Sequence, residues 1–285
     1  MVAPWVAWAG AGVAAAAAAL FARMSYEARL QLVQQADVRL ERLPQPFDGC
    51  KLLFISDLHS RRLTGKTVRQ LAGTVDWVIL GGDIMERNVP LSQVEHNLKL
   101  LAEIAPVYAV YGNHDYKADP DGLEALMAAC GVTLLRDENV PLMQNGRRIW
   151  LTGVDYPRYK RNDYPPVPQL PTVEGGAECR ILVVHDPAWI QKQTAIPADL
   201  VLAGHTHGGQ ITLPWLGPVR LNKFYRQYAS GWFDWEQPEA AFRRPRMLIS
   251  RGFGTRRVPL RLCCPAEMHV LTLRSEPSGN TWMNK

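Results

Sequence analysis

The chain has 285 residues, 47% hydrophobic and 21% charged, enough to bury one large core or two modest ones. Its net charge of +5 suits anionic substrates or an anionic membrane surface and is too small to point to a nucleic-acid binder. Five scattered cysteines without a CxxC pair argue against a disulfide framework or zinc knuckle and favour a reducing compartment.

From Met1 to Ala22 there is no charged side chain, and Trp5 through Phe21 is almost wholly apolar. A helix of about 20 such residues crosses the hydrocarbon core of a bilayer. No Lys or Arg precedes the run, so the positive leader of a cleaved signal is missing. The segment therefore reads as a transmembrane anchor over 1–22. Arg23 and Arg29 follow it, and the positive-inside bias then places the rest of the chain on the cytoplasmic side. Residues 23–37 read as a linker, 38–274 as the folded domain and 275–285 as a flexible tail.

Within the domain, 36–43 alternates apolar and polar residues as a half-buried strand does, with Val38, Leu40 and Leu43 among the apolar ones. The turn residues Pro44-Gln45-Pro46 and Asp48-Gly49 follow, and then a buried strand over 51–56. Short apolar runs recur at 77–80, 107–111, 149–154, 181–184, 200–203 and 247–250. Helical patterns lie between the early ones, at 91–104 and 122–130, the second with an acidic start at Asp119 and Asp121. Strands that alternate with helices, then a strand-rich second half, predict an α/β protein of layered sheets with helices outside. The segment 156–171, rich in Pro, Tyr and Arg, reads as an irregular loop.

Nearly every apolar run ends in a residue that binds metals or moves protons. The endings are Ser56-Asp57-Leu58-His59, Gly81-Gly82-Asp83, Gly112-Asn113-His114-Asp115, His185-Asp186 and Gly204-His205-Thr206-His207. Asp57 and His59 are two apart, so on extended backbone both project from one face, and His205 and His207 repeat the spacing. In an open α/β sheet the C-terminal strand ends converge on one crevice. Each fragment alone is as well explained by a turn or a core histidine. Together, five of the chain's seven histidines fall in these fragments, and only His96 and His269 do not. A set of seven O and N donors exceeds one tetrahedral ion and suits two ions sharing a carboxylate.

This order of motifs resembles the calcineurin-like metallophosphoesterase superfamily. The resemblance implies a four-layer α/β/β/α sandwich, here preceded by the transmembrane helix, and a dinuclear metal centre. In that scheme Asp57, His59 and His207 hold one divalent ion, Asn113, His185 and His205 hold the other, and Asp83 bridges them. Manganese, iron, zinc and nickel all suit such a donor set. Two such ions lower the pKa of a shared water and neutralise charge on the phosphoryl oxygens. His114 resembles the family's second-sphere histidine, which stabilises the transition state or protonates the leaving oxygen, and Asp115 is placed to orient it.

Departures from better-known branches narrow the expectation. Ile84-Met85-Glu86-Arg87 stands after Asp83 where serine/threonine phosphatases have V-D-R-G, and the iron-binding tyrosine pattern of purple acid phosphatases is missing. The GHTHGGQ run, Ser250-Arg251-Gly252-Phe253-Gly254 and Cys264-Pro265-Ala266-Glu267 resemble a bacterial branch with an N-terminal membrane segment. That branch includes phosphodiesterases and a membrane-anchored UDP-2,3-diacylglucosamine pyrophosphatase of lipid A synthesis. The expected substrate is thus a phosphate diester or pyrophosphate, lipid-linked in the second case, with no nucleic acid expected. A non-catalytic scaffold on the same fold is the alternative of a different class, and the complete donor set argues against it.

Two stretches stay open at this level. Arg61 and Arg62, just past His59, suit either a phosphate contact or solvated surface. The aromatic and basic stretch from Pro214 to Trp235 fits either a rim touching lipid or ordinary packing under closing loops.

Overall fold

The computed structural model describes residues 4–157, 165–171, 178–193, 195–235 and 245–275. In chain order its elements begin with helix α1 (Pro4–Arg29), strands β1 (Leu32–Leu40) and β2 (Lys51–Ile55), α2 (Gly65–Leu71) and β3 (Trp77–Leu80). Then come α3 (Leu91–Ala102), β4 (Val107–Ala109), α4 (Pro120–Ala129), β5 (Val132–Leu134), β6 (Glu138–Gln144) and β7 (Arg147–Val154). The second half holds β8 (Arg180–Val184), β9 (Leu200–Ala203), β10 (Thr212–Leu213), β11 (Gly217–Pro218) and α5 (Lys223–Gln227). It closes with β12 (Gly231–Asp234), β13 (Arg246–Ile249) and β14 (Glu267–Ser275).

The strands form two six-stranded sheets, ordered β1-β14-β2-β3-β4-β5 and β12-β13-β9-β8-β7-β6, and a small β10-β11 ribbon. Strands β2, β3, β4 and β5 run parallel, as do β13, β9, β8 and β7, so their C-terminal ends lie along a common edge within each sheet. Register follows burial. Leu53 and Ile55 of β2 face a core shared with α2, α3 and α4, and Leu52 and Phe54 face the other sheet. In the second sheet Ile181, Val183, Leu200 and Leu202 face inward, and Leu182, Val184, Val201 and Ala203 face out. Period-two alternation thus builds a sandwich with a core between the sheets and a further core on each outer face.

The outer layers are unequal. Three helices cover the first sheet; Asp119 caps α4 by accepting from the Gly122 N–H at 3.0 Å. Among the described residues no long helix covers the second sheet, and its outer face is packed by shorter pieces. A 3₁₀ segment, Pro187–Lys192, lies there with Trp189 and Ile190 buried, and Phe224, Tyr228, Phe233 and Trp235 pack against it. Large aromatics fill the space that an amphipathic helix would otherwise cover. Most of the aromatic stretch is therefore packing, with Trp215 the clear exception at full exposure.

The segment 23–37, read as a linker, is instead the end of α1 and most of β1. Its leading half has exposed Gln34 and Gln35 and no apolar alternation, and parallel pairing with β14 is what holds it. The anchor expectation has partial support: Trp8–Arg29 is long and apolar enough to cross a membrane by length and composition, and its apolar surface is unburied. The end of α1 is stitched to the domain. Arg61 donates to the carbonyls of Ala28, Arg29, Leu30 and Phe253, the Arg261 N–H to Met24 O (3.1 Å), and the Cys264 N–H to Glu27 (3.3 Å). Within the expected loop 156–171, residues 158–164 lie outside the described residues, as does the tail beyond 275.

Candidate metal centre

The loops after β2, β3, β4, β8 and β9 carry the seven expected donors, and the structure brings all seven together where the two sheets meet. The His205 N–H donates to both carboxylate oxygens of Asp57, at 3.1 and 3.2 Å, and joins the β9 loop to the β2 loop. His185 Nδ1 lies 2.8 Å from the Gly81 carbonyl, which fixes its ring from the other side. Its Nε2 is thereby turned inward, 3.3 Å from Asp83 Oδ2 and 3.2 Å from His205 Nδ1. On the opposite side His59 Nε2 lies 3.0 Å from His207 Nε2, and His207 Nε2 lies 3.4 Å from Asp57 Oδ1. Asp83 Oδ2 is 3.6 Å from His59 Nε2, so this one oxygen stands between the two histidine groups. The Asn113 amide points its two ends at His205 Nδ1 and Lys117 Nζ, each 2.9 Å away.

Two trios with no member in common therefore have a ligand atom from each member within 4.8 Å of the others, Asp57, His59 and His207, and Asp83, His185 and His205; a third, His59, Glu86 and His114, shares His59 with the first. A buried pair of neutral imidazole nitrogens 3.0 Å apart has at most one proton to share, and a cation between the rings suits both lone pairs. The donor set fits two divalent metal ions: imidazoles on each side, a carboxylate in each trio and Asp83 facing both.

The backbone is bent to aim these groups. Asp57, His59, Asp83, His205 and His207 all have left-handed φ, between +48° and +70°, which non-glycine residues rarely adopt. Strain concentrated on the donors is the pattern of a site held by its surroundings for function. Glycine lets the loops close. A Cβ on Gly112 would stand 2.3 Å from Asp83 Oδ1, and one on Gly204 would stand 2.5 Å from Asp57 Oδ2.

Burial sets the electrostatics. It drives His59 down to about 3 and His205 to about 4, and lowers His207 and His114 as well. These rings are held neutral, the form that ligates metal. Burial raises Asp57 to about 6. For Asp83, burial works upward, and His185, His59 and His114 together hold the carboxylate well below its ordinary value.

Several partners were not legible from the sequence. Asp186 Oδ2 lies 3.7 Å from His205 Nε2, and both its oxygens accept from the Tyr225 hydroxyl at 2.9 Å. That is the carboxylate behind a metal-facing histidine that tunes metal sites generally. Its position straight after His185 was the one available signal. Tyr156 stacks near His205, ring centroids 6.5 Å apart, and Glu86 Oε2 stands 3.8 Å from His59 Nδ1.

His114 is half-buried, its ring edge-on to His59 with centroids 4.9 Å apart, and its N–H donates to Asp83 Oδ1 at 2.7 Å. The Asp115 carboxylate accepts from the backbone N–H groups of Met85 (2.9 Å) and Gly112 (2.8 Å). Those bonds shape the loop that carries Asn113 and His114. Arg61 is committed to four carbonyls, so it is structural and not a phosphate contact. Arg62 meets His96 on the surface at 3.4 Å.

Known proteins are similar to this chain in sequence. The family model for calcineurin-like phosphoesterase matches residues 50–209, which hold all seven donors. The chain is 34% identical over 228 residues to the uncharacterized protein YpbG of Bacillus subtilis, covering 78% of this chain and 80% of that one. It is 29% identical to the uncharacterized metallophosphoesterase YkuE of Bacillus subtilis, covering 82% of each. It is 28% identical to the phosphodiesterase YaeI of Escherichia coli, covering 78% of this chain and 82% of that one. With its paired histidine–carboxylate clusters and metal-dependent phosphoesterase chemistry, the chain belongs to the calcineurin-like phosphoesterase family.

Proposed function

We propose that this metal-dependent phosphohydrolase is a membrane-anchored phosphodiesterase or pyrophosphatase that acts on the cytoplasmic side. The observation that carries the reading is the cleft that opens from His205 and His207. It has a volume of ≈ 470 Å³ and is lined by Gln210, Asn222, Tyr225 and three arginines, Arg220, Arg256 and Arg257. A terminal phosphate needs only the space over the donors, whereas a cleft of this size also receives an organic group on the far side of the scissile bond. Guanidinium groups suit the non-bridging oxygens of a diester or pyrophosphate. After burial itself, the charge of Arg256 is among those that lower His59, His114 and His205, so this arginine acts on the donors from the cleft.

In this reading Asp57, His59 and His207 hold one ion, Asn113, His185 and His205 hold the other, and Asp83 serves both. His114 gives a proton or hydrogen bond to the leaving oxygen. Asp115 holds the loop that presents His114. Similarity to a named phosphodiesterase supports the diester. Helix α1, with Arg23 and Arg29 at its domain end, supports the membrane and the cytoplasmic orientation. A lipid-linked pyrophosphate such as UDP-2,3-diacylglucosamine is the second reading, favoured by the stitching of α1 to the loops around the cleft.

The test is hydrolysis by the manganese-loaded full chain of bis-p-nitrophenyl phosphate against p-nitrophenyl phosphate. The expected result is kcat/KM at least about tenfold higher for the diester, and its loss in Asp83→Ala and His205→Ala. A preference for the monoester overturns the reading.

A further inference from the structure

The turn between β10 and β11 exposes large apolar side chains in a row. Trp215 is fully exposed, Leu216 is 72% exposed, and Leu213 and Val219 are exposed beside them. Val258 adds another from the loop that Gln210 holds through the carbonyls of Arg256 (3.2 Å) and Val258 (2.8 Å). A soluble surface tolerates such residues singly and rarely as a cluster. The exposure is confined to this tip, because Phe224, Tyr228, Phe233 and Trp235 further along are packed against the second sheet.

The charges around the tip have one sign. Between Gln210 and Phe233 the charged side chains are Arg220, Lys223 and Arg226. The neighbouring loop adds Arg256 and Arg257, whereas Arg261 is fully buried and Arg251 pairs with Glu267 at 3.4 Å. An apolar tip with tryptophan among cations is the composition of a surface that seats in an anionic bilayer.

The covalent frame puts that bilayer in reach. Leu262 pairs with the root of the ribbon, its carbonyl accepting from the Thr212 N–H (2.9 Å) and its N–H donating to Gln210 O (3.0 Å). One residue earlier the Arg261 N–H donates to Met24 O, and two residues later the Cys264 N–H donates to Glu27. A single strip of chain, 261–264, therefore touches the ribbon root and the last turns of α1. Val219, Arg220, Arg257 and Val258 also line the cleft that opens from the metal-facing histidines.

We propose that the 213–219 ribbon seats in the headgroup layer of the bilayer that α1 crosses, so that the catalytic cleft opens onto anionic lipid headgroups. The proposal rests on the reading of α1 as a membrane span. Two contacts, one helix and one ribbon, fix the tilt of the domain where a helix alone leaves it free to swing. Substrates then enter laterally from the lipid surface.

The test uses the full chain in tagged nanodiscs of phosphatidylcholine and phosphatidylglycerol, with Cys263→Ser removing the exposed native thiol. A fluorophore is placed at Trp215→Cys, or at Met143→Cys on β6 as an exposed control. Both sites are at the surface, so neither change threatens the fold. Expected is co-purification with the nanodisc and, for the 215 label, severalfold stronger quenching by lipids spin-labelled near the headgroup than for the 143 label. Iodide should quench the 143 label and spare the 215 label. Equal iodide quenching of both labels overturns the proposal. Shielding from iodide without quenching by the spin-labelled lipids also overturns it, because another protein surface then covers the patch. Failure to co-purify with the nanodisc overturns the anchor reading together with this one, and is scored separately from the quenching.

Discussion

The His205 N–H donates to both oxygens of the Asp57 carboxylate, at 3.1 and 3.2 Å, and so ties a ligand loop of one sheet to a ligand loop of the other. Asp57 is fully buried and sits at φ +54°, with the Gly254 N–H donating to its carbonyl at 2.7 Å. It is thus a candidate metal donor and the joint between the sheets at once. Asp57→Asn keeps the acceptor for His205 and removes the charge. Metal analysis should show one fewer ion per chain with circular dichroism unchanged, and diester hydrolysis should fall by at least about 100-fold. Full metal content in the variant would remove Asp57 from the donor set.

Protons should destabilise the metal-free protein. Burial depresses His59, His114, His205 and His207, so the folded chain keeps these rings neutral where the unfolded chain, with its ordinary histidine pKa near 6.5, protonates them. Stability from these groups is present above that value and is lost as pH falls. Two carboxyls run the other way: burial raises Asp57 to about 6 and Asp115 to about 7, so the folded chain holds protons there that the unfolded chain releases. In His185 burial acts downward, but Asp83 and Asp57 more than offset it and raise the ring to about 10, so the folded chain keeps a proton that the unfolded chain releases above its ordinary value, and this ring sides with the two carboxyls. Four lowered imidazoles outweigh these three groups. The Tm of the metal-free protein should fall as pH is lowered from about 7.5 to about 5, and added manganese should raise Tm more at the higher pH. A Tm that climbs on acidification would mean that the carboxyls dominate.

How far the sequence could be read depends on what makes each feature. The strands at 77–80 and 200–203 match β3 and β9 to the residue, because each is four apolar residues buried on both sides with a polar turn after it. The donors stood out for the same reason, as polar residues at the abrupt end of an apolar run. Other elements left no such mark. Helix α2 has seven residues and no side-chain cap, and β5 has three residues. Strand β14 carries a buried Glu267–His269 pair, 3.2 Å apart, inside what would otherwise be a clear apolar strand. Arg256 and Arg261 owe their roles to loop packing over long separations, which no local pattern encodes.

Arg261 is the clearest of these. It is fully buried, and its guanidinium donates to the carbonyls of Cys264 (3.0 Å), Arg251 (2.8 Å), Gly252 (3.1 Å) and Gly254 (2.6 Å). Gly252 and Gly254 press against Asp57 and Leu58, so this one cation gathers the loop that backs the first trio. Arg261→Leu leaves four buried acceptors without their donor and should cost roughly 3 kcal/mol or more. Tm and metal content should fall together, with Arg261→Lys recovering part of both. A leucine variant with wild-type Tm would show that the carbonyls find other donors.

Gly112 offers a sharper probe of Asp83, the carboxylate that stands between the two histidine groups. Gly112 does not have left-handed φ, so alanine is acceptable to the backbone there and the whole penalty is contact. An added Cβ would meet Asp83 Oδ1 at 2.3 Å and Asp83 N at 2.4 Å, with His185 Cε1 at 2.8 Å. Asp83 cannot retreat freely, because its Oδ1 accepts from the His114 N–H and its φ of +51° is already strained. The methyl group should therefore push the Asp83 loop away from both histidine groups at once. Gly112→Ala should lose both ions, where Asp57→Asn loses one, and diester hydrolysis should fall by about 100-fold or more. The relevant measurement is the metal-to-protein ratio of folded protein purified in manganese. A ratio near two would show that the loop moves as a body and carries Asp83 with it.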